Sequence, residues 1–220
     1  MSTEPAPGLD RGSRPAPFAL LLACVFAAGV ASLLYEVLWV RQLGLSLGST
    51  AIATSVMLSA FLGGLALGST WMGRRADDLN TPSRVLLWVE LGAAVLGVAA
   101  IPALEAAGHA YVFLAMSFGL TGVAATVMRV LFSLVVMLIP ATLFGMTFPL
   151  VTAQGARFVR GAMAAGVVSA ISSFGSATGA LLCGLWLEPA LGIFRSALVG
   201  AACNVIAGGL AWLVGKLSDV

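Results

Sequence analysis

Two acidic residues, Glu36 and Glu90, lie inside long apolar stretches of this 220-residue sequence. A carboxylate in lipid is costly, so an acid within such a stretch is a candidate for ligand binding or proton transfer. The two acids fall at different depths of their segments, so we expect them to flank an elongated cation or to act as separate steps of a proton path. The alternative is a structural ion pair for each acid: Glu36 with Arg41, Arg157 or Arg160, and Glu90 with Arg74 or Arg75.

Other residue types that support catalysis are sparse. His109 is the only histidine, and the three cysteines, at positions 24, 183 and 203, sit in apolar stretches without metal-ligand spacing. The sequence contains no serine–histidine–aspartate set and no glycine-rich phosphate loop. A net charge of +2 without a basic run argues against nucleic acid binding. We therefore expect no enzymatic activity, no metal site, no cofactor and no nucleic acid partner.

The composition identifies lipid as the solvent for these residues. Hydrophobic residues make up 60% of the chain and charged residues 9%, against about 25% charged in soluble domains. A helical span takes about 20 residues and satisfies its own backbone polar groups. The sequence predicts an all-α polytopic bundle of one domain, 18–215, between a disordered cytoplasmic tail, 1–17, and a short tail, 216–220. Seven helices are predicted, at 18–40, 51–72, 84–104, 110–128, 130–153, 162–187 and 193–215.

The distribution of lysine and arginine predicts the orientation, since cytoplasmic loops carry the excess. With the N-terminus inside, seven helices place seven basic residues inside (Arg11, Arg14, Arg74, Arg75, Arg84, Arg129, Arg195) and four outside (Arg41, Arg157, Arg160, Lys216). This predicts a multi-pass protein of a bacterial-type inner membrane with a cytoplasmic N-terminus and an external C-terminus.

Two glycine pairs at a spacing of four, Gly64 with Gly68 and Gly175 with Gly179, predict close helix contacts. Glycine lets two backbones approach, and in lipid that approach supplies van der Waals contact. The pairs indicate either static packing or an interface that moves.

The segment between the second and third helices resembles the cytoplasmic loop signature of the major facilitator superfamily. The residues that carry the likeness are Gly73, Arg74, Arg75, Asp77 and Asp78. The Gly-x-x-x-Asp core is present, whereas the trailing Gly-Arg-Lys is not. In that family the acid and the arginines latch helix ends during gating, and the alternative here is a solvated turn that fixes topology.

A longer resemblance begins with Tyr35-Glu36-x-x-Trp39-x-Arg41, followed by Gly63-Gly64-x-Ala66-x-Gly68-Ser69. With Glu90-Leu91-Gly92, the segment from Pro140 to Pro149 and Pro189-Ala190-Leu191-Gly192, these strings resemble the N-terminal membrane domain of membrane-bound spermidine synthase-like proteins, which are described as fusions with a major-facilitator-like module. The residues carried over as binding or proton-coupling candidates are Tyr35, Glu36, Trp39, Arg41 and Glu90.

Two departures from that family bear on function. The soluble synthase domain, with its catalytic acids and cofactor loop, has no counterpart in these 220 residues, so no polyamine synthesis is expected of them. Where the family shows Asn-Thr-x-Gly, this sequence has Ser172-Ser173-Phe174-Gly175.

The first expected function is a transporter-like module for a polyamine or another small organic cation, resembling half of a major facilitator and acting as a homo-oligomer or with other membrane subunits. The alternative is a non-catalytic subunit or anchor of a larger membrane complex, or of a separately encoded soluble synthase-like enzyme. An intramembrane enzyme has the least support, because no nucleophile–base pair is present.

Overall fold

A computed structural model describes residues 15–119, 121–159 and 161–218, and these residues are helical with short connections. The helices are α1 (Pro15–Leu47), α2 (Thr50–Gly73), α3 (Pro82–Phe118), α4 (Gly122–Gly155), α5 (Gly161–Leu182) and α6 (Glu188–Ser218). A 3₁₀ turn (Ala76–Asp78) precedes α3, and a π-helical turn (Cys183–Leu187) joins α5 to α6.

The prediction of an all-α chain with membrane-spanning helices is confirmed at that level, whereas the number seven is not. Five helical stretches among the described residues are long and apolar enough to cross a membrane: Ala16–Leu47, Thr50–Gly73, Pro82–Phe118, Gly122–Gly155 and Ala162–Ser218. The last contains α5, the π-helical turn and α6, and the helix is kinked at Gly192 within α6. Its φ of 77° and ψ of 172° are not helical, and glycine adopts this left-handed φ without steric cost.

The predicted helix breaks at 105–109 and at Arg129 are wrong. The α3 helix continues past Gly108 and His109 to Phe118, and α4 runs through Arg129. Arg129 remains inside a helix because its Nη1 donates to the Ser46 carbonyl at 3.0 Å and its guanidinium lies over the Tyr111 ring. The chain reverses instead at Gly119, which has a φ of 63° and caps α3.

Contacts between helices give their relative directions. Along α1 and α5, Phe26 lies beside Gly175 and Val30 beside Gly179, so the two helices are parallel. Along α3 and α6, Ser83 lies beside Gly215 and Gly208 beside Leu87 and Glu90, so these are antiparallel. Tyr35 bonds to the Ala94 carbonyl and Gln42 to Glu105, so α1 and α3 are parallel. The chain therefore alternates in direction from α1 to α6.

The first three helices and the last three make equivalent contacts with each other. The α2 helix packs on α4 as α5 packs on α1, and α3 packs on α4 as α6 packs on α1. The third helices of the two sets, α3 and α6, also pack on each other. Since α1 and α4 run in opposite directions, the two sets of three helices are related as an inverted repeat, a common construction in membrane transporters.

Each predicted glycine pair makes a close contact between the two sets of helices. A Cβ on Gly64 or Gly68 would overlap α4 at Ala141 and Thr142, and a Cβ on Gly175 or Gly179 would overlap the carbonyls of Phe26 and Val30 on α1. The helices approach at backbone distance, which in lipid replaces the hydrophobic effect as the source of helix association.

The two ends of the bundle differ. The end that carries Pro15 and Ser218, here the terminal end, also holds the α2–α3 and α4–α5 connections, since Phe18 contacts the ring of Phe158 and Ser83 bonds to Gln154. The prediction that the two chain ends lie on opposite sides of the membrane is therefore wrong, because the start of α1 and the end of α6 share one end of the bundle. Arg157 and Lys216 lie at this end, and Arg129 and Arg195 at the opposite end, here the turn end, which carries Gly48 and Ser49.

At the turn end, α3 and α4 form a projecting hairpin. Glu105 lies at the level of Gln42, and Arg129 at the level of Ser46. The residues between Glu105 and Phe118 extend roughly 20 Å farther along α3. The hairpin exposes large apolar side chains on both helices, including those of Phe113, Met116, Phe118 and Val123.

Candidate functional site

A cavity of about 290 Å³ lies among α1, α2, α4 and α5. Its wall is mostly apolar, with Phe61, Phe144 and Phe148 among the lining side chains. Five hydroxyl side chains also face it: Ser32, Ser69, Thr147, Ser172 and Ser176. The volume is at the small end of the range for ligand pockets, roughly 300–1,000 Å³, so a bound ligand would be small.

Glu90 stands directly behind this wall. Its side chain is fully buried on α3, and the Thr147 hydroxyl donates to its Oε1 at 2.8 Å. Asn204 on α6 is also fully buried; with its amide oriented to satisfy both neighbours, it donates to Glu90 Oε2 at 3.3 Å and accepts from the Ala94 N–H at 3.2 Å. Two neutral side chains therefore hold the carboxyl group, and the predicted alternative of an ion pair with Arg74 or Arg75 is wrong.

Thr147 connects the carboxyl group to the cavity. Its hydroxyl hydrogen is directed to Glu90, which leaves lone pairs on the oxygen for a donor inside the cavity. Ser69 and Ser176 donate to the carbonyls of Gly145 and Gly29. Ser32 and Ser172 have no hydrogen-bond partner among the described residues, so their hydroxyl groups are available to a ligand.

Glu36 lies on the α1 face that lines the cavity. Val25, Gly29 and Ser32 line it at spacings of four and three, and Glu36 follows Ser32 one turn later on the same face. Its half-buried carboxyl group has no ion pair or hydrogen bond within the described residues. It lies outside the lining itself, so the structure does not bring Glu36 and Glu90 together.

Arg41 has a different acidic partner from the predicted one. Its Nε lies 2.6 Å from Oε1 of Glu188 at the start of α6, with side-chain exposures of 60% and 15%. The predicted ion pair of Glu36 with Arg41 is therefore wrong. Arg157, another predicted partner, is at the opposite end of α1, and Arg160 lies outside the described residues. An exposed pair of this kind contributes little to stability, roughly 0–1 kcal/mol.

Tyr35 and Trp39 are core residues of the α1–α3 contact. Both are fully buried; Tyr35 donates to the Ala94 carbonyl at 3.4 Å and Trp39 Nε1 to the Gly97 carbonyl at 3.1 Å. Their rings pack on each other at 5.5 Å and on Phe144, which lines the cavity. They support the cavity wall from behind and do not line this cavity.

The facilitator-like loop lies at the terminal end. Gly73 ends α2, Arg74 caps it, and Arg75 donates to the Trp71 carbonyl at 3.0 Å and lies over the Trp71 ring. Asp77 lies beside the end of α4 in a shallow groove with Pro149 and Thr152. Neither Asp77 nor Asp78 forms an ion pair within the described residues, so the structure shows the loop beside α4 without a charged latch.

Sequence reasoning missed Thr147 and Asn204. Asn204 was detectable, because an amide inside an apolar helix needs a partner, and the only other asparagine is in the α2–α3 connection. Thr147 carried no such signal, since threonine commonly bonds its own helix backbone, as Thr142 does here.

Comparisons with protein-family models, with curated proteins and with solved structures found no match for this chain.

Proposed function

We propose that this chain is a transporter-like membrane module that binds a small organic cation in the cavity. The observation that carries the proposal is the bond from cavity-lining Thr147 to the fully buried Glu90. No basic side chain lines the cavity among the described residues, and Glu90 is the acid bonded to its wall. In its ionised form, a carboxyl group in a low-dielectric surrounding attracts a cation over several ångströms.

A polyamine fits the chemistry of the wall. It alternates methylene segments with ammonium groups, and the cavity combines aromatic and aliphatic side chains with hydroxyl groups. One ammonium would donate to the Thr147 oxygen, and another would approach Glu36 beyond Ser32. A buried polar group in lipid is tolerated where it lines a pathway, which is consistent with transport.

The inverted repeat of three helices supports the predicted likeness to half of a major facilitator. Each six-helix half of a facilitator contains two such three-helix repeats in inverted orientation. The substrate site lies at an interface between repeats. We therefore propose that the working form contains a second copy or another membrane subunit.

Reagent access to Ser172 tests whether the cavity is aqueous and binds polyamine. With the native cysteines replaced, we expect Ser172→Cys to react with a cationic methanethiosulfonate about tenfold faster than Ser173→Cys, because only a hydrated thiol ionises. Ser173 is adjacent and exposed on the outer surface, so it is the matched control. Spermidine should slow the Ser172→Cys reaction. Equal rates for the two variants, or no protection by spermidine, would contradict the proposal.

We propose that the terminal end faces the cytoplasm of a bacterial-type inner membrane. Among the described residues, five basic side chains lie at this end (Arg74, Arg75, Arg84, Arg157, Lys216) and three at the turn end (Arg41, Arg129, Arg195). In the sequence, Arg11 and Arg14 precede α1 and Arg160 joins α4 to α5. This bias exceeds that of a seven-helix topology and supports a cytoplasmic N-terminus.

A reporter fused to the C-terminus distinguishes the two topologies. In bacteria we expect a fusion to green fluorescent protein to fluoresce and a fusion to alkaline phosphatase to be inactive. Both follow because the end of α6 shares the cytoplasmic side with the start of α1. An active phosphatase would show that the C-terminus is external, as in the seven-helix topology.

The second candidate function is a subunit or anchor of a larger membrane complex, and the projecting hairpin favours it. The hairpin exposes large apolar side chains, namely those of Phe113, Met116, Phe118 and Val123. An exposed apolar patch of this kind is unfavourable in water and marks a protein or membrane contact. Purification from native membranes in mild detergent, with mass spectrometry, separates the two functions. A stoichiometric membrane or soluble synthase-like partner supports the second, and a homogeneous homo-oligomer supports the first.

A further inference from the structure

A second, smaller cavity lies at the terminal end, where α3 begins and α6 ends. Its volume is about 70 Å³, and three cationic side chains line it: Arg84, Arg157 and Lys216. They come from α3, from the segment after α4 and from α6, so the fold brings together charges that are distant in sequence. None of the three forms an ion pair with an acidic side chain among the described residues.

The backbone at the start of α3 adds to this positive surrounding. Thr81 is the N-cap residue but makes no side-chain cap bond, and Pro82 follows it at the first helical position. The Ser83 N–H has no partner among the described residues. The free N–H groups and the dipole of a long helix favour an anion at its N-terminus.

A buried amide behind the cavity lacks a partner. Ser83, which lines the cavity, donates to Gln154 Oε1 at 3.2 Å, and Gln154 is 1% exposed. Its Nε2 has no hydrogen-bond acceptor. A buried donor left unpaired is costly, so an acceptor at this position would stabilise the end of the bundle.

The size and position of the cavity indicate the ligand. A water molecule occupies roughly 30 Å³, so the space suits one tetrahedral oxyanion. Trp212 lines the same cavity, with Lys216 Nζ 4.0 Å from its ring centroid. Exposed tryptophan beside lysine at a helix end is typical of the membrane interface, where lipid phosphate groups lie.

We propose that this cavity binds a phosphate group, supplied by the headgroup of an anionic phospholipid or by free phosphate. Arg84, Arg157 and Lys216 neutralise the charge, and the Ser83 N–H donates to an oxygen. This site is independent of the transport proposal, because it shares no residue with the larger cavity.

The test measures thermal unfolding of the purified full chain in detergent with added phosphatidylglycerol, phosphatidylcholine or inorganic phosphate. We expect phosphatidylglycerol to stabilise the chain at lower concentration than phosphatidylcholine. The double variant Arg84→Gln/Arg157→Gln should weaken that effect about tenfold or more. The matched control is Arg74→Gln/Arg75→Gln, which removes the same charge from the same end without touching the cavity.

The outcomes separate the sources of the phosphate group. If phosphatidylglycerol stabilises the unmodified chain and the Arg74→Gln/Arg75→Gln variant but not the Arg84→Gln/Arg157→Gln variant, the cavity is a lipid site. The same pattern with inorganic phosphate identifies a free-anion site. If both double variants lose the stabilisation equally, the effect is one of general surface charge and the proposal is overturned. It is also overturned if neither phosphatidylglycerol nor inorganic phosphate stabilises the unmodified chain.

Discussion

Replacing Gly68 with alanine is expected to destabilise the helix bundle by about 3 kcal/mol or more, the upper range for overpacking. A Cβ at this position would overlap the Thr142 carbonyl oxygen and lie 3.0 Å from the Gly145 Cα. Both are backbone atoms, so no side-chain rotation relieves the contact, and α2 must separate from α4. Because lipid supplies no hydrophobic drive to restore the pair, the lost contact is not compensated. Reversible unfolding in mixed detergent micelles measures the change.

Gly63→Ala is the matched control for this variant. The residue lies five positions earlier on the same helix, and its added Cβ would meet only Leu138 Cδ1, at 3.8 Å. We expect its stability to stay within about 0.5 kcal/mol of the unmodified chain, as for substitutions away from packed contacts. Equal stability of the Gly68→Ala and Gly63→Ala variants would contradict the close α2–α4 contact.

The sequence predicted which helix faces make close contacts, but it did not predict which helix each of them contacts. Glycine at a spacing of four identifies a close approach, and both pairs make one. That α2 meets α4, and α5 meets α1, depends on the path of the whole chain, which single-helix patterns do not encode.

The predicted number of helices is not confirmed, and the reason is physical. The breaks at 105–109 and at Arg129 were predicted because charged residues, proline and glycine disfavour continuous apolar spans. In the structure Arg129 is satisfied by the Ser46 carbonyl and by Tyr111, so the helix continues through it. The true reversal, at Gly119, lies within an apolar sequence that contains no charge.

The candidate site was predictable in part. The cost of a carboxyl group in lipid identified Glu90, whereas its partners Thr147 and Asn204 come from helices that only the fold brings together. Tyr35, Trp39 and Arg41 share a short sequence string with Glu36, yet α1 directs them to different neighbours. Proximity in sequence on a helix therefore does not imply a shared site.

The second large effect concerns transport. Replacing Glu90 with glutamine should lower the initial rate of spermidine uptake about tenfold or more, since a hydrogen bond to a charged group is worth roughly 1.5–3 kcal/mol. Glutamine keeps the shape of the side chain and an oxygen that accepts from Thr147, so the bundle should still fold. Thr147→Val provides a second variant, which retains the acid and removes its bond to the cavity.

A matched control is available in Glu105→Gln. Glu105 is an acid on the same helix, bonded to Gln42 at the turn end and remote from the cavity lining. Its replacement removes the same charge and should leave uptake within about twofold, as expected for an acid away from the pathway. Thermal unfolding of each variant shows whether a loss of uptake reflects the site or the fold.

The most direct test of the central claim is uptake of radiolabelled spermidine by liposomes containing the purified chain. We predict uptake above that of protein-free liposomes, a strong reduction in the Glu90→Gln variant and little change in the Glu105→Gln variant. Absence of uptake by the unmodified chain, or an unchanged rate for folded Glu90→Gln, would contradict a cation pathway through this cavity.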